Sequence, residues 1–518
     1  MPPVDNKRIA QNAVALTIRM ALITIIGLYT SRVVLQVLGV EDYGIYGVIG
    51  GVVGLASFLN AAMAGATSRF LTFDIGRNNG GQLSNTFSTA FFVHLIIAIF
   101  IAILAETLGL WFINNKMNFP PDKMFSVNVL YQFSIIGMIV SFTQVPYSSL
   151  IIAHERMKIF AYLEIINSVC RLLIVFILMI ASYDLLILYS ALSLGVGIAI
   201  TLIYRFYCIR QFPEAKLKFS IDKSILKSML SYSACDLYGN MCIIGRSQGI
   251  PIIINIFFGV VANAASSIAN TVSGAIKGYT VAIMQAFLPP IVKLYAINEI
   301  RSMRLTMSRA VQFSLFAFAV FAIPFYIDTA LLLNLWLGLV PEYSVDFTRL
   351  IIISSIFDMI NRVNHTGLTA TGRIKYVSFI SGTLFIMVPV LSYLLLKYYC
   401  HSVNLIYIID IFAFIFIASV STFLLHKQIP ELDIKKYIFD YSRSLFSIFL
   451  TFSISDLLVK FLLVLPKSGD LWSQFIHLLC CSIISAVILS IISLTLGFDN
   501  YDRKYVISLI KSRIHSIF

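Results

Sequence analysis

Charge is the scarcest component of this sequence. Only 12% of its 518 residues are Asp, Glu, Lys or Arg, against 59% hydrophobic residues and a mean hydropathy of +0.89. So little charge cannot cover an ordinary soluble surface, which excludes a soluble globular protein and points to an integral membrane protein. The seven cysteines, Cys170, Cys208, Cys235, Cys242, Cys400, Cys480 and Cys481, show no CxxC spacing and lie mostly in apolar runs. A disulfide framework and a zinc site are therefore not expected. There is no Gly-rich phosphate loop of the nucleotide-binding type, so energy for any movement must come from a gradient, from the substrate's own gradient or from a separate protein. His94 and His365 join no metal-ligand or nucleophilic motif, and no sizeable soluble catalytic region is present to support a glycosyltransferase or ligase. The net charge of +13 and pI near 9.3 come from basic residues scattered among apolar segments, not from a stripe or arm that would bind nucleic acid. No enzyme activity and no cofactor are expected.

What the sequence does have is long apolar runs. About 20 residues cross a hydrocarbon core, and continuous runs of that length favour helices over the shorter alternating strands of a barrel. The spacing predicts an all-α polytopic protein with spans near 14–38, 43–67, 84–113, 127–153, 160–181, 186–207, 233–257, 262–290, 310–336, 346–371, 376–397, 403–425, 444–465 and 474–496, fourteen in all. The run that follows MPPVDNKR is too long for a signal-peptide core and reads as a retained first helix. With the N-terminus in the cytoplasm, 26 of the 38 basic residues fall at cytoplasmic ends and loops. The opposite side receives four, Lys116, Lys123, Lys397 and Lys467. That bias places both termini in the cytoplasm. The connection at 208–232 is broken by Pro213, and its lysines alternate with apolar residues, as in a linker carrying an amphipathic segment.

An internal repeat runs through the chain. LGVEDYG at 38–44 aligns with FGVVANA at 258–264 at a shift of 220, and SSLIIAHERMKIF at 148–160 aligns with HTGLTATGRIKYV at 365–377 at a shift of 217. The nearly equal shifts predict two pseudo-symmetric six-helix lobes, at 1–207 and 233–426, joined by the 208–232 linker and followed by two added helices and a cytoplasmic tail in 427–518.

Ionisable residues inside spans are costly and usually face a bundle interior or an aqueous cavity. Arg32, Arg246 and Lys277 are the first choices for contacts to an acidic or phosphate-bearing substrate, followed by Arg19, Arg171 and Arg362. For each of them an intrabundle ion pair, a carbonyl contact or snorkelling is the competing structural role. Asp358 lies four residues before Arg362 on one helical face, which suits a structural pair. Asp236, Asp358, Asp410 and Asp456 are the carboxylates available for proton or sodium coupling. Gly47 and Gly51, and Gly50 and Gly54, have GxxxG spacing, which suits close helix packing or bending during gating.

The run TSRVVLQVLGVEDYGIYGVIGGVVGLASFLNAAMAGATSRFLTFDIGR, with PYSSLIIAHERMKIFAYLEI at 146–165, resembles the bacterial polysaccharide biosynthesis flippases. These are the O-antigen or capsule repeat-unit translocases of the multidrug/oligosaccharidyl-lipid/polysaccharide exporter superfamily. The resemblance implies an inner-membrane protein that moves an undecaprenyl-pyrophosphate-linked oligosaccharide from the cytoplasmic to the periplasmic leaflet by alternating access. The implied partners are the lipid-linked oligosaccharide, membrane lipids and a polysaccharide polymerase or assembly proteins. It also implies a central cationic cavity, for which Arg32 and Arg246 are the nearest sequence-level choices, and a supporting role in lipid-tail passage for the last two helices. A cation-coupled exporter of small drugs or metabolites from the same superfamily is the main alternative.

Overall fold

A computed structural model of the protein describes residues 6–76, 80–154, 156–181, 184–218, 222–371, 374–399, 401–462, 471–497 and 503. Its described elements are all helical: α1 (Asn6–Gly54), α2 (Ser57–Gly76), α3 (Gly80–Leu104), α4 (Leu110–Lys116), α5 (Met124–Ala153), α6 (Met157–Leu178), α7 (Leu185–Gln211), α8 (Lys223–Ala296), α9 (Ile300–Ile327), α10 (Thr329–Leu337), α11 (Ser344–Ala370), α12 (Ile374–Tyr398), α13 (Leu405–Gln428), α14 (Ile434–Leu462) and α15 (Leu471–Ile492). Helix is the expected outcome because a backbone crossing hydrocarbon must satisfy its amides and carbonyls within its own segment. Among the described residues, eleven helical stretches are long and apolar enough to cross a membrane, so the chain is an all-α polytopic membrane protein.

Eleven is fewer than the fourteen spans read from hydropathy, for two physical reasons. Leu22–Gly54 and Leu237–Gly278 each run through a backbone break, at Gly39 and Gly259 respectively, where the sequence reading separates two spans. The stretch at 346–371 does form a helix, α11, but it carries Asp346, Arg349, Asp358 and Arg362 and falls outside the eleven. The 208–232 connection contains the start of a helix. Lys223 already begins α8, and Ile225 and Met229 there are buried against Met63, Ala90 and Val93.

The two breaks are the same turn occurring twice. Gly39 has φ 79° and ψ 172°, and Gly259 has φ 75° and ψ −166°. That region of backbone space is essentially open only to glycine. The two residues are 220 positions apart, the offset of the LGV and FGV motifs. The same offset recurs in helix starts, from Gly80 to Ile300, from Met124 to Ser344 and from Leu185 to Leu405. The repeat is therefore a repeat of backbone structure as well as of sequence.

The chain forms two compact units. The first comprises Met1–Ile268, Pro341–Ser344 and Ser378–Ile406, and the second Ala269–Val340, Val345–Val377 and Tyr407–Phe518. In the first unit a π-helical turn at Ala105–Gly109 separates α3 from α4, and the hydroxyl of Tyr131 donates to the Ala105 carbonyl at 2.8 Å. Gly109 leaves the room that this hydroxyl occupies. Asp42, in the turn that follows Gly39, pairs with Lys123 at 3.0 Å. Asp184 caps α7, accepting from the amides of Leu186 and Ile187 at 3.0 and 3.1 Å and from Ser126 Oγ at 2.5 Å. In the second unit α14 and α15 pack on α9 along a seam of Ala319, Ile323 and Leu489.

Two outcomes follow from these contacts. A Cβ at Gly39 would meet nothing within 4 Å, so Gly39→Val tests the positive φ alone. It should cost about 1–3 kcal/mol of stability, read as a fall in the thermal midpoint of the purified protein in nanodiscs. Gly50→Ala, with the same open space but an ordinary helical φ, should shift it by no more than about 0.5 kcal/mol. Burial opposes ionisation of Asp184, but the hydrogen bonds from Ser126, Ile187 and Leu186 and the nearby Lys123 outweigh it and hold the carboxyl below its usual range. A carboxyl lowered in the folded state stabilises above its unfolded pKa and loses that contribution as pH falls through the lowered value. The protection factors of the first-turn amides of α7, which are exchange rates corrected for the intrinsic rate at each pH, should therefore fall on acidification in the wild type, while Asp184→Ala should show low protection at neutral pH already, at a cost of about 1 kcal/mol.

Candidate functional site

Within the first unit, α5, α6 and α7 enclose a cavity of about 430 Å³. Glu164, Asn167 and Arg171 stand on one face of α6 at helical spacing and supply its charged wall. Hydroxyl and amide groups complete it, among them Ser141 and Gln144 from α5 and Ser190, Ser193 and Thr201 from α7. The wall is organised by internal hydrogen bonds. Thr201 Oγ1 donates to Gln144 Oε1 at 3.1 Å, Tyr204 OH donates to Glu164 Oε1 at 3.3 Å, and Arg171 Nε donates to Asn167 Oδ1 at 3.3 Å. Ser193 Oγ is buried with no partner among the described residues. A second, mainly apolar cavity of about 290 Å³ lies along α1, lined by Ile23, Ile26, Gly27 and Val34, and shares Tyr46 and Arg171 with the first. Arg171 thus stands where a hydroxyl-rich chamber meets an apolar one. A space of this size with a few convergent polar groups is of the kind that holds small ligands or one part of a larger one.

The second unit carries a different arrangement. Asp358 on α11 is buried, and its Oδ2 lies 3.3 Å from Lys277 Nζ and 3.3 Å from both Nε and the second terminal nitrogen of Arg362. One carboxylate therefore positions two cations. The Arg362 side chain remains 47% exposed, so its outer edge is open to a further acceptor. The spacing of Asp358 and Arg362 made their pairing legible, but Lys277 joins them from 81 residues earlier, across the break between helices.

The other expected residues are distributed as follows. Arg32 is half-buried in α1, ahead of Gly39. Arg246 is half-buried in α8, its guanidinium 5.5 Å from the centre of the Phe385 ring. Both belong to the first unit with Arg171, whereas Lys277 and Arg362 belong to the second. The side chains of Arg19 and Asp236 lie outside the described residues. Asp410 is buried in α13, and Asp456 is held by Lys460 at 2.6 Å one turn along α14. Gly47, Gly51 and Gly54 sit against α8: a Cβ at Gly47 would stand 2.6 Å from Ser267 Oγ, and those at Gly51 and Gly54 would stand 3.4 and 3.2 Å from Gln248. Gly50 faces open space. The amide of Asn255 is engaged in a reciprocal pair with the backbone of Asn118, at 2.9 and 3.3 Å.

Two buried pairs were not anticipated. Arg304 Nη1 and Ser308 Oγ both donate to Asp440 Oδ2 at 2.8 Å, and His477 Nε2 lies 3.0 Å from Asp328 Oδ2. The sequence held a signal for the second, because Asp328 falls inside the span 310–336 and His477 inside 474–496. Arg304 is one of the basic residues that the hydropathy pattern puts at the cytoplasmic ends, and only its contact with Asp440 shows that it points inward.

The family model for polysaccharide biosynthesis proteins matches residues 9–295. The chain belongs to this family. No curated protein matches it. Among solved structures it is similar to an inward-facing multidrug resistance MATE family transporter of the MOP superfamily, with a TM-score of 0.66 and 13% identity over 81% of this chain and 98% of that one. It is also similar to an outward-facing structure of such a transporter, with a TM-score of 0.57 and 14% identity over 82% and 96%. A MOP superfamily transporter from Pyrococcus furiosus, described as having a binding pocket of reversed polarity, gives a TM-score of 0.60 and 13% identity over 82% and 96%. At these identities the likeness is one of fold. The chain is thus a polytopic membrane protein of the polysaccharide biosynthesis family with a fold like that of the MOP superfamily transporters. Among its described residues no three His, Cys, Asp or Glu side chains gather to hold a metal ion.

The shared carboxylate yields a stability ordering. Asp358→Asn leaves two cations in a low-dielectric setting without their counter-charge, whereas Lys277→Met or Arg362→Gln leaves an intact pair. The first substitution should lower the thermal midpoint more than either of the others. Equal losses in all three would show that the cluster does not act as a unit.

Proposed function

We propose that this protein carries undecaprenyl-pyrophosphate-linked oligosaccharide repeat units from the cytoplasmic to the periplasmic leaflet of a bacterial inner membrane, by alternating access, for O-antigen, capsule or exopolysaccharide synthesis. The observation that carries the reading is the Lys277–Asp358–Arg362 cluster, whose Arg362 side chain is 47% exposed, in a chain whose family is polysaccharide biosynthesis. A diphosphate is matched by cations held ready on a shared acid, and an oligosaccharide is matched by hydroxyl and amide groups like those around Arg171. The polyprenyl chain stays in lipid while the polar part passes. Release demands that the two states bind the cargo unequally, since equal affinity for both would shift nothing.

In this reading the chain has fourteen spans in two six-helix lobes, 1–207 and 233–426, joined through 208–232 and followed by two added helices in 427–518. The recurrence of the Gly39 turn at Gly259 supports it. Both termini are cytoplasmic, on the weight of the basic loops. Arg32, Arg246 and Arg171, with Arg19, line the passage from the first unit. Gly47, Gly51 and Gly54 serve helix packing during gating. A polysaccharide polymerase or assembly protein receives the product at the outer face.

A second reading is a cation-coupled exporter of small drugs or metabolites. The solved structures that favour it are titled as multidrug resistance transporters, and the 430 Å³ cavity is of drug-binding size and carries an acid, Glu164. Of the acids available for coupling, Asp358 and Asp456 hold cations, Asp410 is buried on α13, and Asp236 belongs to α8.

Proteoliposomes containing a chemically defined lipid-linked oligosaccharide separate the two readings through a leaflet-accessibility assay, run with and without proton or sodium gradients. The flippase reading expects enhanced movement of the glycan, reduced in R32A, R246A and R362Q with membrane insertion intact. No movement of any lipid-linked glycan, together with saturable gradient-dependent efflux of small cations, would establish the exporter instead.

A further inference from the structure

The α14–α15 hairpin of the second unit is tied to α9 at both of that helix's ends, by pairs of different chemistry. Near the start of α9, Arg304 and Ser308 hold Asp440 of α14, with the Arg304 and Asp440 side chains 4% and 2% exposed. Arginine does not lose its proton in a protein, so that tie is permanent. Between the ends runs an apolar seam in which Ala319 and Ile323 meet Leu489, and Tyr326 stands edge-on to Phe452 at 5.1 Å. At the far end of α9, Asp328 meets His477 of α15, with side chains 1% and 0% exposed. This second tie is the titratable one, because histidine changes its charge in the physiological range.

Two features mark the pair as more than packing. Asp328 stands where α9 ends and α10 begins, with φ −111° and ψ 38°, so the carboxylate sits at a joint in the chain and not within a rigid helix. His477 directs Nε2 at Asp328, while its Nδ1 is buried with no hydrogen-bond partner among the described residues. A buried ring nitrogen without a donor or acceptor is the form in which a neutral imidazole donates from Nε2 and keeps a bare lone pair on Nδ1.

We propose that Asp328 and His477 form a proton-binding site that ties the α14–α15 hairpin to α9 and through which a proton gradient acts on transport. A proton taken up at the Nδ1 lone pair makes the imidazole an imidazolium, and the Nε2–H···Oδ2 hydrogen bond becomes an ion pair. The charge on the pair goes from minus one to zero, and its attraction rises in a setting where little water screens it. Uptake draws the start of α15 onto α9. Release relaxes that end while the Arg304–Asp440 tie holds the other, so the hairpin pivots instead of detaching. Toward this end of the helices, α9 carries Tyr326, α11 carries Asp346 and Arg349, α14 carries the Asp456–Lys460 pair, and α15 carries Cys480 and Cys481. Arg349 Nε donates to Thr329 Oγ1 at 3.3 Å, and its guanidinium lies 5.5 Å from the Tyr326 ring centre. Arg349 thus stands beside the joint as a fixed charge while the imidazole is the group that changes. In the orientation proposed above, this end of α9 faces the periplasm, the side from which a proton gradient loads.

The proton site itself is testable without any cargo, and only its coupling to transport rests on the function proposed above. Full-length protein with ¹⁵N-labelled histidine, in nanodiscs, is titrated by NMR from about pH 5 to pH 8. The His477 resonances are assigned by their loss in H477Q, or in H477N should that variant not fold. The expected result is that His477 takes up one proton in this range and that D328N displaces its midpoint. A His477 that keeps one protonation state throughout overturns the proposal. In proteoliposomes with the lipid-linked oligosaccharide, the ratio of transport with an acid exterior to transport without a gradient should exceed one in the wild type and fall to one in D328N and H477Q. An unchanged ratio in both folded variants overturns the coupling. A wild type that moves no glycan sinks the flippase reading instead, and the titration then decides the site alone.

Discussion

A charge placed in hydrocarbon must find its counter-charge within the protein, and the architecture of this chain depends on that constraint. Water is not there to share the cost, so a lone buried ion is far more expensive than the same ion at a soluble surface. In the second unit the solutions take three forms: Arg304 with Asp440, His477 with Asp328, and Lys277 with Arg362 on Asp358. The first is neutral and fixed, the second is neutral only when the imidazole carries its proton, and the third gathers two cations on one carboxylate with the Arg362 side chain 47% exposed. That difference separates a structural fastening from a switchable one and from a cluster with an open cationic face.

The same solvent rule governs the backbone. Helices satisfy their own amides, and the chain leaves that regularity where another group can compensate or where glycine permits a turn. Tyr131 takes up the Ala105 carbonyl at the π-helical turn, and Asp184 accepts the amides that open α7. At Gly39 and Gly259 the helix reverses into a conformation that a side chain would oppose. Recurrence of that turn after 220 residues means that whatever bending the first repeat undergoes, the second has the same hinge with which to answer it.

The first unit solves a different problem, that of keeping a polar space inside an apolar protein. Hydroxyls and amides around Arg171 are arranged by bonds among themselves, which keeps the cavity walls in place while leaving groups such as Ser193 available. Because Arg171 borders an apolar chamber as well, the unit offers adjoining environments of opposite polarity. An amphiphilic molecule with a charged junction between its sugar and its chain has that same sequence of properties.

Read alone, the sequence determined the all-α membrane class, the position of both turns and the pairing of Asp358 with Arg362. Each of these rests on short-range periodicity or on composition, which the chain carries in consecutive residues. It also separated two spans where the helix bends at glycine, since hydropathy falls at a turn whether or not the backbone reverses there. What it could not determine was which distant charges meet. Lys277 and Asp358 are 81 residues apart, Arg304 and Asp440 136, and Asp328 and His477 149. An ionisable residue inside a span needs a partner, but helix periodicity fixes neighbours only three or four residues away. Tertiary packing brings the remaining partners together, and it alone decided which cations are spent on structure and which keep an open face.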